Sequence, residues 1–294
     1  MIKVMDICKS YGTKRVLDNI NISVSMGEIH GLIGDNGAGK TTLIKCIAGI
    51  YRPDTGMVLY DGKDIYDVPE TKERIGYVSD RCGYVGSCKI AGILKLYDQF
   101  YPRFNRAKFE EYNKSFNLDM NTKIHSLSKG QKMRLGFMLE MAKEPDYLIL
   151  DEPTSGLDPV AKSRFLELLV EEADKREIGV LISSHNLNDL EKLCDTITML
   201  SDGKVASDAS LDEFKNKLVK LQVVFEHGVD EKCLKIPEIV KISHVGSVYT
   251  MIVDGYDVSL DDRLKKMGAG FIEEIDIDLE ELYVALDGRK EREQ

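Results

Sequence analysis

Between an apolar segment and a helix-forming segment, the chain reads Gly34-Asp35-Asn36-Gly37-Ala38-Gly39-Lys40-Thr41-Thr42. This stretch matches the pattern G-x-x-x-x-G-K-[ST] and lies between a predicted strand at 29–33 and a predicted helix at 41–48. Glycines let the backbone curl so that N–H groups point at phosphate oxygens, and the helix adds its N-terminal dipole. Lys40 supplies a positive charge for the β- and γ-phosphates, and the Thr41 hydroxyl is a ligand for Mg²⁺. The stretch predicts a nucleotide-binding loop made of Asn36, Gly37, Ala38, Gly39, Lys40, Thr41 and Thr42.

Two adjacent carboxylates follow an apolar strand predicted at 147–150. Asp151 is placed to hold Mg²⁺ through water, and Glu152 is placed to polarise the water that attacks the γ-phosphate. An apolar strand followed by Asp-Glu is a common pattern. Taken alone, it could also be a strand that ends in a solvated turn with no role in a site.

Buried strands alternate with helices in the second half of this region. Residues 147–150 and 179–183 are fully apolar, and a predicted helix at 160–175 separates them. This alternation predicts a parallel sheet covered on both faces. Residues 1–62 are rich in strand patterns, and residues 81–141 form a mainly helical insertion, with helices at 90–97 and 108–116 and a break at Pro102. From about residue 209 the pattern changes to a small α+β segment without a catalytic motif.

Composition limits the class of protein. The 294 residues carry a net charge of −10, which disfavours tight nucleic-acid binding because that binding needs a basic face. No apolar run approaches the roughly 20 residues that span a bilayer. The N-terminus moves straight into a strand-like pattern, so we expect no signal peptide and a cytosolic protein. Any membrane role then depends on a partner.

A further set of motifs identifies a family. Leu127-Ser128-Lys129-Gly130-Gln131 is followed, in this order, by Asp151-Glu152-Pro153, Ser155-Gly156-Leu157-Asp158 and His185. With the phosphate loop, residues 1–207 resemble the ATP-binding cassette (ABC) family. The resemblance implies that 127–131 is the signature motif, 155–158 the D-loop and His185 the switch histidine. It also places Tyr11 where an aromatic ring stacks on adenine. Two alternatives stay open: Tyr11 could be a core residue, and His185 a core histidine with its hydrogen bonds satisfied.

The resemblance implies an α/β fold of the P-loop NTPase type, with a parallel-sheet core, an antiparallel β subdomain, a helical subdomain at about 81–141 and a C-terminal α+β appendage. The corresponding domains are 1–208 and 209–294. It implies ATP and Mg²⁺ as cofactors, with Thr41 and Asp151 at the metal and Glu152, His185 and Lys40 as catalytic residues. Asp80 is our own additional candidate for the metal site. The resemblance also implies that the signature motif of one subunit contacts the γ-phosphate held by another. A second subunit therefore completes the nucleotide site, to which each chain contributes Ser128, Gly130, Gln131 and Asp158.

Two residues depart from the family pattern. Lys129 stands where the signature usually has glycine; it either adds a phosphate contact or points outward, and we expect it to point outward. Asp80 stands where glutamine is usual. An ionised aspartate accepts hydrogen bonds but cannot donate one to the attacking water. We expect Asp80 to keep a metal-sensing role and to couple it to the helical subdomain.

With these departures, the sequence resembles a branch of bacterial ABC ATPases that pair with separately encoded exporter permeases. Members of that branch are linked to antibiotic response or to export of toxic peptides. Aromatic residues of the helical insertion either dock the permease or pack the subdomain: Tyr84, Tyr97, Phe100, Tyr101 and Phe104. The leading hypothesis is an ATPase that drives export from the inner face of the plasma membrane. The alternatives are a non-transport ABC ATPase acting on ribosomes or DNA, and a regulatory nucleotide sensor. A ribosome-acting relative would carry two cassettes, and this chain has one. A DNA-acting relative would carry long coiled coils, and the sequence lacks sustained heptads. The intact Glu152 and His185 argue against a protein that only senses nucleotide.

Overall fold

The computed structural model describes residues 1–68, 70–80, 87–226, 228–229 and 233–293, with side chains up to residue 286. The chain divides into two compact units, Met1–Ala209 and Ser210–Gln294. Within the described part of the chain, none of the helices combines the length and the apolar character that a membrane crossing requires.

The first unit contains ten strands, seven α-helices and one short 3-10 helix at Ile124–Ser126 among its described residues. The strands are β1 Ile2–Tyr11, β2 Lys14–Val24, β3 Ile29–Gly34, β4 Thr55–Tyr60, β5 Lys63–Asp64, β6 Ile75–Val78, β7 Tyr147–Asp151, β8 Gly179–Ser183, β9 Thr196–Ser201 and β10 Lys204–Ser210. The helices are α1 Lys40–Ile47, α2 Glu70–Glu73, α3 Ile90–Phe100, α4 Arg106–Phe116, α5 Lys129–Ala142, α6 Pro159–Arg176 and α7 Leu187–Glu191.

The core of this unit is a six-stranded sheet of order β10-β9-β3-β8-β7-β6. Within this order, the five strands β9, β3, β8, β7 and β6 run parallel to one another. Every residue of β7 and β8 is buried, as expected for strands covered on both faces. The predicted parallel core is confirmed. A second, antiparallel sheet of order β2-β1-β4-β5 completes the β part of the unit.

A helical layer made of α3, α4 and α5 lies between β6 and β7 in the chain. The Phe137 ring of α5 packs edge to face against Phe116 of α4 and Phe165 of α6, with centroid distances of 6.4 and 4.6 Å. The helices extend the predicted ones by a few residues, and they break around Pro102 as expected. Tyr97 is buried, whereas Phe100 is 68% exposed. The aromatic set therefore divides between packing and surface, and Tyr84 lies outside the described residues.

The second unit is a small α+β domain. Its elements are α8 Leu211–Lys215, β11 Leu218–Phe225, β12 Ile239–Val245, β13 Val248–Asp254, α9 Val258–Lys266, β14 Ala269–Ile275 and α10 Leu279–Glu293. The four strands form an antiparallel sheet of order β12-β13-β11-β14, and α9 packs its Leu260 and Leu264 into the core beside Phe225. The prediction of a small α+β appendage is confirmed.

Candidate functional site

The phosphate loop connects β3 to α1 and requires glycine at two positions for steric reasons. Gly34 has φ +151°, and a Cβ added there would stand 2.4 Å from the Leu200 carbonyl oxygen. Gly39 has φ +107°, and its Cβ would stand 2.8 Å from Leu17 Cδ2. Gly39 also precedes the first turn of α1, where no side chain caps the helix. The first-turn N–H groups are thus available to an anion, which the helix dipole favours.

Lys40 is buried inside this loop. Its ammonium donates to the carbonyl oxygens of Gly34 at 2.6 Å and Asp35 at 3.1 Å. Burial lowers the pKa of Lys40, and the nearby carboxylates of Glu152, Asp35 and Asp151 oppose that shift. The lysine ammonium is therefore held by backbone carbonyls of its own loop.

The Thr41 hydroxyl and the Asp151 carboxylate meet at the end of β7. Thr41 Oγ1 donates to Asp151 Oδ1 at 3.3 Å, and Ser183 Oγ donates to the same oxygen at 3.0 Å. Burial raises the pKa of Asp151; the two hydroxyl donors oppose the shift, and the carboxylates of Glu152 and Asp80 add to it. A hydroxyl and a carboxylate are the hard oxygen ligands that Mg²⁺ prefers, so the donor set fits that metal. No cluster of three or more Asp, Glu, His or Cys suited to a metal occurs among the described residues.

Glu152 and His185 form the second polar pair of the site. His185 Nδ1 lies 2.6 Å from Glu152 Oε2, and the His185 backbone N–H donates to the same oxygen at 3.2 Å. The Glu152 backbone has φ +53°, a left-handed conformation that is uncommon for a residue with a Cβ and is found at functional sites. It is held there by bonds from its N–H to the Ser183 side chain and carbonyl. The alternative in which His185 is a buried core residue is wrong, because its side chain is 66% exposed.

Lys40, Thr41 and Glu152 border one cavity of about 330 Å³, whereas Asp151 and His185 contact these residues from behind its walls. Its walls are Tyr11, Lys14, Val16, Asp35, Asn36, Gly37, Gly39, Lys40, Thr41, Thr42 and Glu152. Tyr11 is 47% exposed, so the alternative in which it is a core residue is wrong. Lys14 and Val16 were not predicted, because only the position of β2 beside the loop brings them here.

The signature residues lie at the N-terminus of α5. Ser128 caps this helix: its Oγ accepts from the Gln131 N–H at 3.2 Å, and Gln131 Oε1 accepts from the Ser128 N–H at 2.9 Å. Asp158 caps α6 in the same way, through the Ala161 N–H at 3.0 Å. Gly130 packs against the loop before α6, where an added Cβ would stand 2.9 Å from the Gly156 carbonyl. Ser128, Gly130, Gln131 and Asp158 are absent from the walls of the cavity as far as the described residues define it.

Comparison with known proteins decides the family. A family model described as ABC transporter matches residues 17–155. The ABC transporter ATP-binding protein YtrB of Bacillus subtilis (strain 168) is 30% identical over 292 residues, which cover 99% of this chain and 100% of YtrB. The chain belongs to the ABC transporter ATP-binding proteins.

Other similarities agree with this family. The bacitracin transport ATP-binding protein BcrA of Bacillus licheniformis is 32% identical over 220 residues, 74% of this chain and 72% of BcrA. A solved structure described as the ATP binding subunit of an ABC transporter has a TM-score of 0.68 and 30% identity, and the match covers 74% of this chain and 92% of that one. The predicted family, fold class and ATPase activity are confirmed.

In this ABC ATP-binding protein, the two departures from the family pattern contact each other. Lys129 Nζ lies 2.5 Å from Asp80 Oδ1 and donates to Ser155 Oγ at 2.9 Å. Lys129 is exposed, but the expectation that it simply points outward is wrong, because its ammonium has two partners. The Asp80 carboxylate, predicted to face a metal, pairs with this lysine in the structure.

Proposed function

We propose that two ABC cassettes, either two copies of this chain or this chain and a similar one, close around ATP, hydrolyse it and drive export through a separate membrane subunit. The observation that carries this proposal is the Glu152–His185 pair at 2.6 Å beside the phosphate loop. It puts an oriented carboxylate next to the place where a γ-phosphate would lie. A protein that only senses nucleotide needs the loop but not this pair.

Five residues in and beside the cavity have a role in the proposed hydrolysis. Lys40 leaves its carbonyl partners and contacts the β- and γ-phosphates, where its charge offsets the charge that develops in the transition state. The Glu152 carboxylate accepts a hydrogen bond from the attacking water and orients it in line with the leaving group. His185 keeps that carboxylate in position. Magnesium held by Thr41 and, through water, by Asp151 would supply further charge neutralisation on the phosphates.

A second cassette is needed because the signature residues of this chain do not reach its own cavity. Ser128 and the helix N-terminus that it caps form an anion-binding end of α5. In the proposed dimer this end faces the triphosphate in the cavity of the other cassette, and Asp158 lies at the same interface. Tyr11, exposed at the cavity edge, stacks on the adenine; an aromatic face against a base contributes about 1–3 kcal/mol.

The proposed membrane subunit docks on the helical layer. Leu96 and Phe100 are both exposed, and they lie four residues apart on α3, so they share one face of that helix. Exposed apolar side chains of this kind support a protein contact. The chain thereby stays at the inner face of the plasma membrane. Its similarity to a bacitracin transport protein supports an antibiotic or a toxic peptide as cargo.

The test is Glu152→Gln, which keeps the size and a hydrogen-bonding carbonyl but removes the negative charge. We expect phosphate release to fall at least a hundredfold while ATP still binds, and light scattering with ATP to show a stable dimer. Lys40→Ala is the matched control: it should abolish both ATP binding and dimerisation. A Glu152→Gln chain that hydrolyses at the wild-type rate, or stays monomeric in saturating ATP, would contradict the proposal.

A further inference from the structure

One lysine side chain connects three segments of the cassette that are distant in sequence. Lys129 is the first residue of α5, and its ammonium pairs with Asp80, two residues after the end of β6. The same ammonium donates to Ser155, in the loop between β7 and α6. Its methylene stem lies over Gly156, where an added Cβ would stand 3.2 Å from Lys129 Cδ. The pair therefore links the loop after β6, the signature helix and the D-loop.

The pair exists only because both residues depart from the family pattern. Glycine at position 129 would provide no charge, and glutamine at position 80 would leave a lysine without an anionic partner. Both side chains are partly exposed, 48% for Lys129 and 36% for Asp80. They are accordingly free to exchange partners when another charged group arrives, because neither is locked by burial.

In the proposed dimer, a second anion competes with Asp80 for Lys129. Lys129 follows Ser128 at the N-terminus of α5, and in the proposed dimer this helix end faces the triphosphate of the other cassette. The terminal phosphate carries more negative charge than one carboxylate and is also favoured by the helix dipole. Lys129 thus has two possible partners on different molecules: Asp80 of its own chain and the phosphate bound by the second chain.

We propose that the Asp80–Lys129 ion pair is a latch of the open chain, and that closure around ATP transfers Lys129 from Asp80 to the γ-phosphate held by the other cassette. This inference rests on the dimer proposed above. The latch raises the ATP concentration at which two chains close. Because ion pairs between partly exposed side chains are weak, the effect is roughly two- to fivefold.

The experiment measures dimer formation by light scattering against ATP concentration, in the Glu152→Gln background, where we expect ATP to be consumed at least a hundredfold more slowly. EDTA is present, so any role of Asp80 toward Mg²⁺ is removed from the result. Asp80→Asn releases the latch and leaves Lys129 available, so the ATP midpoint should fall roughly two- to fivefold. Lys129→Gln removes the phosphate partner and should raise the midpoint. In the Lys129→Gln background, Asp80→Asn should then have no effect.

A matched control separates the pair from a general charge effect. Asp98 is 38% exposed and pairs with Arg106 at 3.2 Å within the helical layer, so Asp98→Asn should leave the midpoint unchanged. An equal shift from Asp80→Asn in the presence and absence of Lys129, an equal shift from Asp98→Asn, or no shift at all would each overturn the latch. A fall in midpoint with Lys129→Gln would overturn the transfer to phosphate. A Glu152→Gln parent that stays monomeric would refute the dimer itself, and the latch with it.

Discussion

Substitution of Gly34 by alanine tests how the phosphate loop is held against the sheet. The new Cβ would stand 2.4 Å from the carbonyl oxygen of Leu200 in the neighbouring strand β9. Neither atom can rotate away, because the carbonyl belongs to the backbone and the backbone fixes the position of a Cβ. Gly37 is the matched control, because its φ of +92° is equally unfavourable for alanine but nothing lies within 4 Å of its added Cβ. The two variants therefore share backbone strain and differ in the clash.

The magnitudes follow from these two terms. Strain at positive φ costs about 1–2 kcal/mol in either variant. The overlap adds about 1–3 kcal/mol in Gly34→Ala, as overpacking generally does. We expect losses of about 3.5 kcal/mol for Gly34→Ala and about 1.5 kcal/mol for Gly37→Ala. For a unit of this size, 1 kcal/mol shifts the melting temperature by about 2–4 °C, so the decreases should be roughly 10 °C and 5 °C.

The assay combines thermal melting of the nucleotide-free chain with ATP titration. Gly37 lines the cavity and Gly34 does not, so the milder variant should show the clearer loss of ATP affinity when both are folded. Equal melting temperatures for the two variants would refute the reasoning, because they would mean that the loop is not wedged against Leu200. A Gly34→Ala chain as stable as wild type would do so more directly.

Three further changes have distinct expected outcomes. His185→Ala should lower phosphate release about 10²-fold and leave ATP affinity near wild type, because the 2.6 Å contact orients Glu152 during hydrolysis; equal loss in both measurements would contradict this. For Glu28, burial alone would raise the carboxyl pKa, but hydrogen bonds from His30, Thr196 and Ser25 lower it to about 2. A carboxyl whose pKa is lower in the folded chain than in the unfolded chain stabilises the fold at any pH above the unfolded-chain pKa. Glu28→Gln should therefore cost ~2 kcal/mol of unfolding free energy at pH 7. In melting curves, the difference from wild type should vanish as the pH falls from about 4.5 to 2. Phe137→Ala should lower the free energy of thermal unfolding by about 3–5 kcal/mol, because it leaves a cavity between Phe116 and Phe165. Phe100→Ala, which removes an exposed ring, should change stability little.

Local sequence determined much of the site. The phosphate loop, the strand before Asp151 and the caps of α5 and α6 all depend on residues within a few positions of one another, so their spacing carries the information. The same holds for the helices on either side of Pro102, where short-range periodicity and one helix breaker suffice. Order along the chain was enough to identify the family.

Contacts between distant segments needed the tertiary structure. The Asp80–Lys129 pair joins residues 49 positions apart, and neither residue alone predicts the other, because an exposed lysine has many possible partners. The choice of glycine at position 34 follows from strand β9, more than 160 residues later, and the cavity walls at Lys14 and Val16 follow from strand pairing. Sequence motifs predicted which residues bind nucleotide and which are catalytic. Packing and charge pairing between segments distant in sequence decided which of these residues contact each other. The physical reason is that helix and turn signals act over a few bonds, while steric exclusion and Coulomb attraction act through space.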